Sequence, residues 1–170
     1  LSKKFPYAKK NYNNLLKEFN HLNNKKEAIT FSKKQLSRRF SGKSDFLTKY
    51  LKKKARYTLT RSKKNQFNFD GIVFLHDFYD APHEAGLRLF NDFYDWFNYT
   101  AEIILKNNLN FAFKFHPNSK PESIQFNNYL VSKYNTLNFI PGNISNNEIF
   151  SQKKFEVGIS VCGSVLYELV

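Results

Sequence analysis

The sequence is short of sulfur. It has one cysteine, Cys162, and no methionine. A single thiol closes no internal disulfide, which excludes a stapled secreted mini-domain and suits a reducing compartment. Long apolar runs are missing too. None approaches the roughly 18 to 20 residues of a membrane-spanning helix. The first apolar stretch of any length comes after residue 70, so no signal peptide is expected at the start. Acidic residues are scarce: 14 Asp+Glu stand against 27 Lys+Arg, a formal net charge of +13 over 170 residues. No internal repeat occurs, and the general richness in Asn and Lys reads as nucleotide bias. What the chain does have is aromatic bulk. Phe, Tyr and Trp make up 18% and all hydrophobic residues 41%, enough for a core and too much for simple disorder. The chain starts on Leu1 and stops at Leu169-Val170 inside an apolar segment, so a fragment cut at both ends is expected.

The charge divides the chain in two. Residues 1–66 carry a net charge of +17 and residues 67–170 a net charge of −4. Such asymmetry predicts a basic, mainly helical segment over 1–66 and a separate globular part over 67–170. In the first part, Tyr12, Leu15, Leu16 and Phe19 fall at i, i+3, i+4 and i+7, one face of an amphipathic helix. Ser41-Gly42 marks a break, and Ser44-Asp45 can cap a second helix through Phe46, Tyr50 and Leu51.

The second part changes period. Gly71-Ile-Val-Phe-Leu75 is a continuous apolar run, the pattern of a strand buried on both faces. A helical pattern runs from Leu89 to Leu105, and a second strand over 110–115 ends at His116-Pro117. Pro121 suits the first turn of a helix reaching about Tyr134. A short strand over 138–140 closes at Pro141-Gly142, and Ser145 can cap a short helix containing Ile149 and Phe150. A fourth strand, near 156–161, leads to Gly163-Ser164, which should open a fourth helix. Four βα units in a row predict an α/β fold, a Rossmann-like parallel sheet in the order 3-2-1-4 with flanking helices.

Ligands of such sheets bind beyond the carboxyl ends of the strands, where strand order reverses. The polar residues gather at those ends: His76, Asp77, Asp80 and His83 after strand one, His116-Pro117 after strand two, and Ser160, Gly163, Ser164 and Glu168 at strand four. Three of the four histidines would then surround one crevice. Plainer roles exist for each. His116-Pro117 also fits a turn, Gly163-Ser164 an ordinary helix cap, and the 76–83 loop a solvated loop. Glu168 can face water, Asp92 and Asp95 suit a helix face, and Cys162 suits a small buried residue. No Cys/His spacing resembles a zinc site, so no metal is expected. No Gly-rich dinucleotide or P-loop fingerprint occurs. Ser164 lacks the Gly-x-Ser-x-Gly setting of a hydrolase nucleophile.

The strand ending in His116-Pro117, followed by a strand ending in Ser160-x-x-Gly163-Ser164-x-x-x-Glu168, resembles a known family. It is similar to the C-terminal, donor-binding half of bacterial capsular-polysaccharide-type glycosyltransferases with the two-Rossmann-domain (GT-B) fold. The segments Phe74–Asp80, Phe115–Pro117 and Ser160–Glu168 carry the resemblance, which covers residues 70–170. It implies a metal-independent transferase that needs no cofactor beyond its nucleotide-sugar donor, often a cytidine monophosphate sugar, and passes the sugar to a glycan acceptor. His116 and Ser164, within the motifs His116-Pro117 and Ser160–Glu168, become donor contacts, with Glu168 on the nucleotide or its ribose. His116 and the start of the fourth helix would receive the leaving phosphate. A general base is also needed, for which Asp77, Asp80 or a residue of the acceptor domain are the choices. That acceptor domain is expected to lie almost wholly outside this chain, which would leave the fragment inactive alone.

Neighbouring activities on the same architecture are a polyol-phosphate transferase of the teichoic-acid type and a nucleotide-sugar epimerase. From a different class, the +17 segment with its interleaved aromatics suggests a nucleic-acid-binding module. Its basic residues follow no known motif there, and the acidic second part has no role, so nucleic acid is not the expected partner. An anionic membrane surface is a further reading of the basic segment, because each nearby Lys or Arg gains ~1 kcal/mol there, and a merely solvated helical pair fits it at least as well. The expected location is the cytoplasm, at the inner face of the membrane.

Overall fold

The computed structural model describes residues 9–40, 67–79, 89–117, 119–152, 155–161 and 164–169. Its centre is an all-parallel sheet of four strands: β1 (Gly71–Phe74), β2 (Phe111–Lys114), β3 (Asn138–Ile140) and β4 (Val157–Ile159). The strand order is β3-β2-β1-β4, as the βα alternation predicts. Gly71 registers with Phe111 on one side and Val157 on the other, so β1, like β2, is an interior strand. All four of its residues are buried, the reason it reads as an unbroken apolar run.

Between the strands lie α3 (Phe93–Lys106), α4 (Pro121–Lys133) and α5 (Asn146–Phe150). The helical pattern from Leu89 begins four residues late. Asp92 caps α3, its carboxylate accepting from the backbone N–H groups of Tyr94 and Asp95 at 2.8 Å, so Leu89 and Phe90 stay outside the helix. Pro121 opens α4 and Ser145 caps α5, as expected. The fourth helix is reduced to one 3₁₀ turn, Ser164–Tyr167. The strands are also shorter than their apolar runs, because the chain leaves the ladder where its polar strand-end residues begin.

Alternation along the strands builds two cores. On one face Val73, Leu75, Phe113 and Phe115 pack against Trp96, Phe97, Ala101 and Ile104 of α3 and Leu130 of α4. Phe97 is fully buried, its ring 4.8 Å from that of Phe113. On the other face Ile72, Phe74, Ala112 and Ile140 meet Ile144 and Ile149, with Val165 and Leu169 of the last segment packed on top. Lys114 belongs to this second face by its period-two position.

The basic segment contributes α1 (Lys9–His21) and α2 (Lys25–Phe40). The first holds the predicted Tyr12–Phe19 pattern. The second falls within the stretch expected to be mainly helical but at no individually placed helix, and Phe31 lies on the side opposite Ile29 and Leu36. Leu15 and Leu16 stay exposed, as do Ile29 and Phe31. The break at Ser41-Gly42 and the helix after Ser44-Asp45 lie outside the described residues.

Candidate functional site

Parallel strands present their carboxyl ends on one side, and the residues after β1 and β2 meet there. His76 sits between two rings. Phe93, the first residue of α3, stacks on it with centroids 4.6 Å apart and planes 14° apart. The imidazole of His116 lies on the His76 ring at 5.7 Å and 16°. The Nδ1 atom of His76 is shielded from solvent. The His116-Pro117 turn is held from behind: the Ser119 hydroxyl donates to the His116 carbonyl at 2.8 Å. On its other side Gly142 presses so close that a Cβ there would lie 2.6 Å from the same oxygen. Only glycine allows the β3 end to approach this turn.

Asp77, the residue after His76, is held by hydrogen-bond donors of its own. It is 4% exposed. Its carboxylate accepts from the backbone N–H groups of Tyr79 at 2.9 Å and Lys120 at 3.0 Å, and from the hydroxyl of buried Ser123. Burial acts to raise its pKa. The Ser123, Tyr79 and Lys120 hydrogen bonds, with attraction to His116, outweigh burial and hold the carboxyl below the usual carboxylate range. Lys120, the residue before α4, makes no side-chain cap, and Asp77 binds that helix end from the neighbouring strand. A low-pKa carboxylate with three donors is a poor proton acceptor. These three hydrogen bonds tie the end of β1 to the start of α4 through Asp77.

The other motif reaches the opposite core face. The Ser160 hydroxyl donates to the Phe74 carbonyl at 3.3 Å, tying the end of β4 to the end of β1. Glu168 accepts from the Asn146 amide at 2.7 Å, at the start of α5. Behind it lies Lys114, 2% exposed. Its ammonium donates to the carbonyls of Phe115 at 3.2 Å and Gly142 at 3.4 Å. Burial lowers the Lys114 pKa to about 8, with the Glu168 charge pulling the other way. Glu168 also lines an open groove of about 500 Å³ between Lys33, Leu36 and Ser37 of α2 and Asn147, Phe150 and Ser151 at α5.

Of the expected site residues, the fold brings His76 and His116 together and puts Ser160 at the neighbouring strand end. Pro117 makes the turn after His116. Asp80, His83 and Gly163 lie outside the described residues. Ser164 begins a single 3₁₀ turn, too short to give the phosphate site expected of a full helix N-terminus. Phe93, Lys114 and Ser123 were not singled out from sequence. Lys114 had a readable signal: a lysine inside a strand of Phe and Ala that continues into Phe115. Among the described residues no group of three or more His, Cys, Asp or Glu side chains is arranged to hold a metal ion, and no helix is long and apolar enough to cross a membrane. Comparison with known proteins finds no matching family model, no matching curated protein and no matching solved structure.

Proposed function

We propose that this chain carries the donor-binding part of a glycosyltransferase that builds cell-surface polysaccharide from a nucleotide-activated sugar. The observation that carries the reading is the His76–His116 stack. It joins two separate βα units at the side of a 3-2-1-4 sheet where ligands bind. The resemblance of His116-Pro117 and Ser160–Glu168 to the capsular-polysaccharide enzymes supports it.

In this reading the acceptor hydroxyl oxygen attacks the anomeric carbon of the donor sugar. The bond from that carbon to the phosphate oxygen breaks, and the nucleotide leaves with the electron pair. Charge then grows on the phosphate. His116 answers it with a ring proton, steadied by the nearby Asp77 charge, which attracts the imidazolium. His76 and Phe93 keep that ring in plane from behind. The hydroxyl proton goes to a base supplied from outside the Asp77 anchor. The basic segment, residues 1–66, faces an anionic membrane surface.

Titration of the full chain with CMP, CMP-sugars, UDP-sugars and CDP-glycerol, followed by NMR, tests the reading. At least one nucleotide should bind and shift the His76 and His116 ring signals. His116→Ala should weaken binding at least tenfold with thermal stability kept, since a strand-end ring is removed and no core cavity is made. Absence of binding by every nucleotide at millimolar concentration defeats the proposal.

A further inference from the structure

Lys114 is a buried charge that the mechanism above does not use. Its period-two position puts it on the face of Ala112, within the layer of Ile72, Phe74 and Ile140. A lysine stem commonly lies on apolar surface while its ammonium reaches water. Here the whole residue is 2% exposed, and the ammonium ends where the β2–β3 ladder stops. The last backbone rung there is the Phe115 N–H, which donates to the Ile140 carbonyl at 3.1 Å. Beyond it the chain leaves β3 through Pro141-Gly142. The ammonium continues the ladder with a side chain, donating to the Phe115 carbonyl on the β2 side at 3.2 Å and to the Gly142 carbonyl on the β3 side at 3.4 Å.

These two carbonyls flank the His-Pro turn. Phe115 is the residue before His116. Gly142 packs so tightly on the turn that an added Cβ would lie 2.6 Å from the His116 oxygen and 3.4 Å from the Phe115 oxygen. The Ser119 hydroxyl holds the same His116 carbonyl from the α4 side. The His116 ring, 5.7 Å from that of His76, is carried by a turn fastened on both sides.

We infer that Lys114 is a positioning residue for His116: its ammonium bridges the Phe115 and Gly142 carbonyls and fixes the His116-Pro117 turn against the end of β3, where the His116 ring meets His76. The placement of the ring is a property of the fold. Only its consequence for ligand binding rests on the function proposed above. A lysine kept for stability alone would be replaced at a loss of stability, with the ring contact kept. A lysine kept for position separates the two, because methionine fills the same apolar layer and donates nothing.

The experiment compares the full chain with Lys114→Met and with Gly142→Ala, by urea unfolding, by NMR of the aromatic rings and by CMP titration. Lys114→Met should stay folded with its urea midpoint unchanged or raised. The nuclear Overhauser contact between the His76 and His116 rings should weaken or vanish, while the Phe97 signals stay in place. CMP affinity should fall at least tenfold. Gly142→Ala drives the turn off β3 from the other side and should lose the same ring contact. An unchanged His76–His116 contact in folded Lys114→Met overturns the inference. If Lys114→Met does not fold, Gly142→Ala decides, and an unchanged contact there overturns it too. If the parent binds no nucleotide, the functional proposal fails alone, and the ring contact still decides this one. A lost ring contact with CMP affinity unchanged supports the positioning role and counts against the functional proposal.

Discussion

Two charged side chains are buried to almost the same depth at neighbouring strand ends, one on each face of the sheet. Asp77 is 4% exposed and Lys114 is 2% exposed. The protein treats them oppositely. Asp77 receives three donors, two of them backbone N–H groups at fixed positions. Its ionised form is favoured despite burial. Lys114 receives two long contacts to carbonyls, and burial outweighs them. The difference separates two reasons for burying a charge. A fully satisfied charge stabilises the fold, and an incompletely satisfied one is kept at the fold's expense.

The largest expected effects test that contrast by sign. Asp77→Ala leaves the Ser123 hydroxyl and two backbone N–H groups without their acceptor. It should lower unfolding stability by about 3–5 kcal/mol, the usual cost of removing one partner from a buried charged network. Lys114→Met removes a buried charge and keeps the side-chain volume. Because the ammonium is only partly satisfied where it lies, stability should stay unchanged or rise. Urea unfolding of both variants at neutral pH reads the difference. Two losses of equal size would remove the contrast.

The same contrast should appear in the pH dependence of the parent protein. Asp77 has a folded pKa below its unfolded value of 3.8. Its contribution is therefore complete above that value and is lost as pH falls through the folded pKa. Lys114 has a folded pKa of about 8 against 10.5 unfolded. Below pH 8 it is protonated in both states and its penalty is constant. Between 8 and 10.5 the unfolded chain binds more protons, so stability contributed by this group rises with pH, by ~3 kcal/mol at most. Urea midpoints measured across both windows should fall at the acid end. At the alkaline end, the parent should gain relative to Lys114→Met.

The contrast also marks how far the sequence could be read. Parallel order and the interior position of β1 were legible, because Gly71–Leu75 is apolar without alternation and four βα units leave few topologies. The gathering of His76 and His116 followed from that order. The fate of Asp77 did not. Its three donors come from Tyr79 two residues on and from Lys120 and Ser123 in the next βα unit. No local pattern announces such a meeting. The bounds of helix α2 were not placed because Phe31 falls opposite Ile29 and Leu36 and blurs their stripe, and Leu89–Phe90 misled because aromatic periodicity continues past a cap. Lys114 was legible as the one charge within Phe111–Phe115, but its burial depends on the packing of the sheet face that it shares with Ala112.

The smallest expected effect comes from a third carboxylate, and it links the fold to the site. Asp92 resembles Asp77 in accepting two backbone N–H groups, those of Tyr94 and Asp95, but it is exposed. Water can take over both donors once the carboxylate is gone. Asp92→Ala should therefore cost only about 1 kcal/mol, the usual value for an N-cap, against the larger loss at Asp77. The first residue after this cap is Phe93, the ring on which His76 stacks. Fraying the first turn of α3 should free that ring before it disturbs Phe97 or the rest of the core. NMR of Asp92→Ala should then show the His76 ring signal shifted and broadened while the Phe97 and Phe113 signals stay in place. An unchanged His76 signal would mean that the stack is held from the His116 side alone.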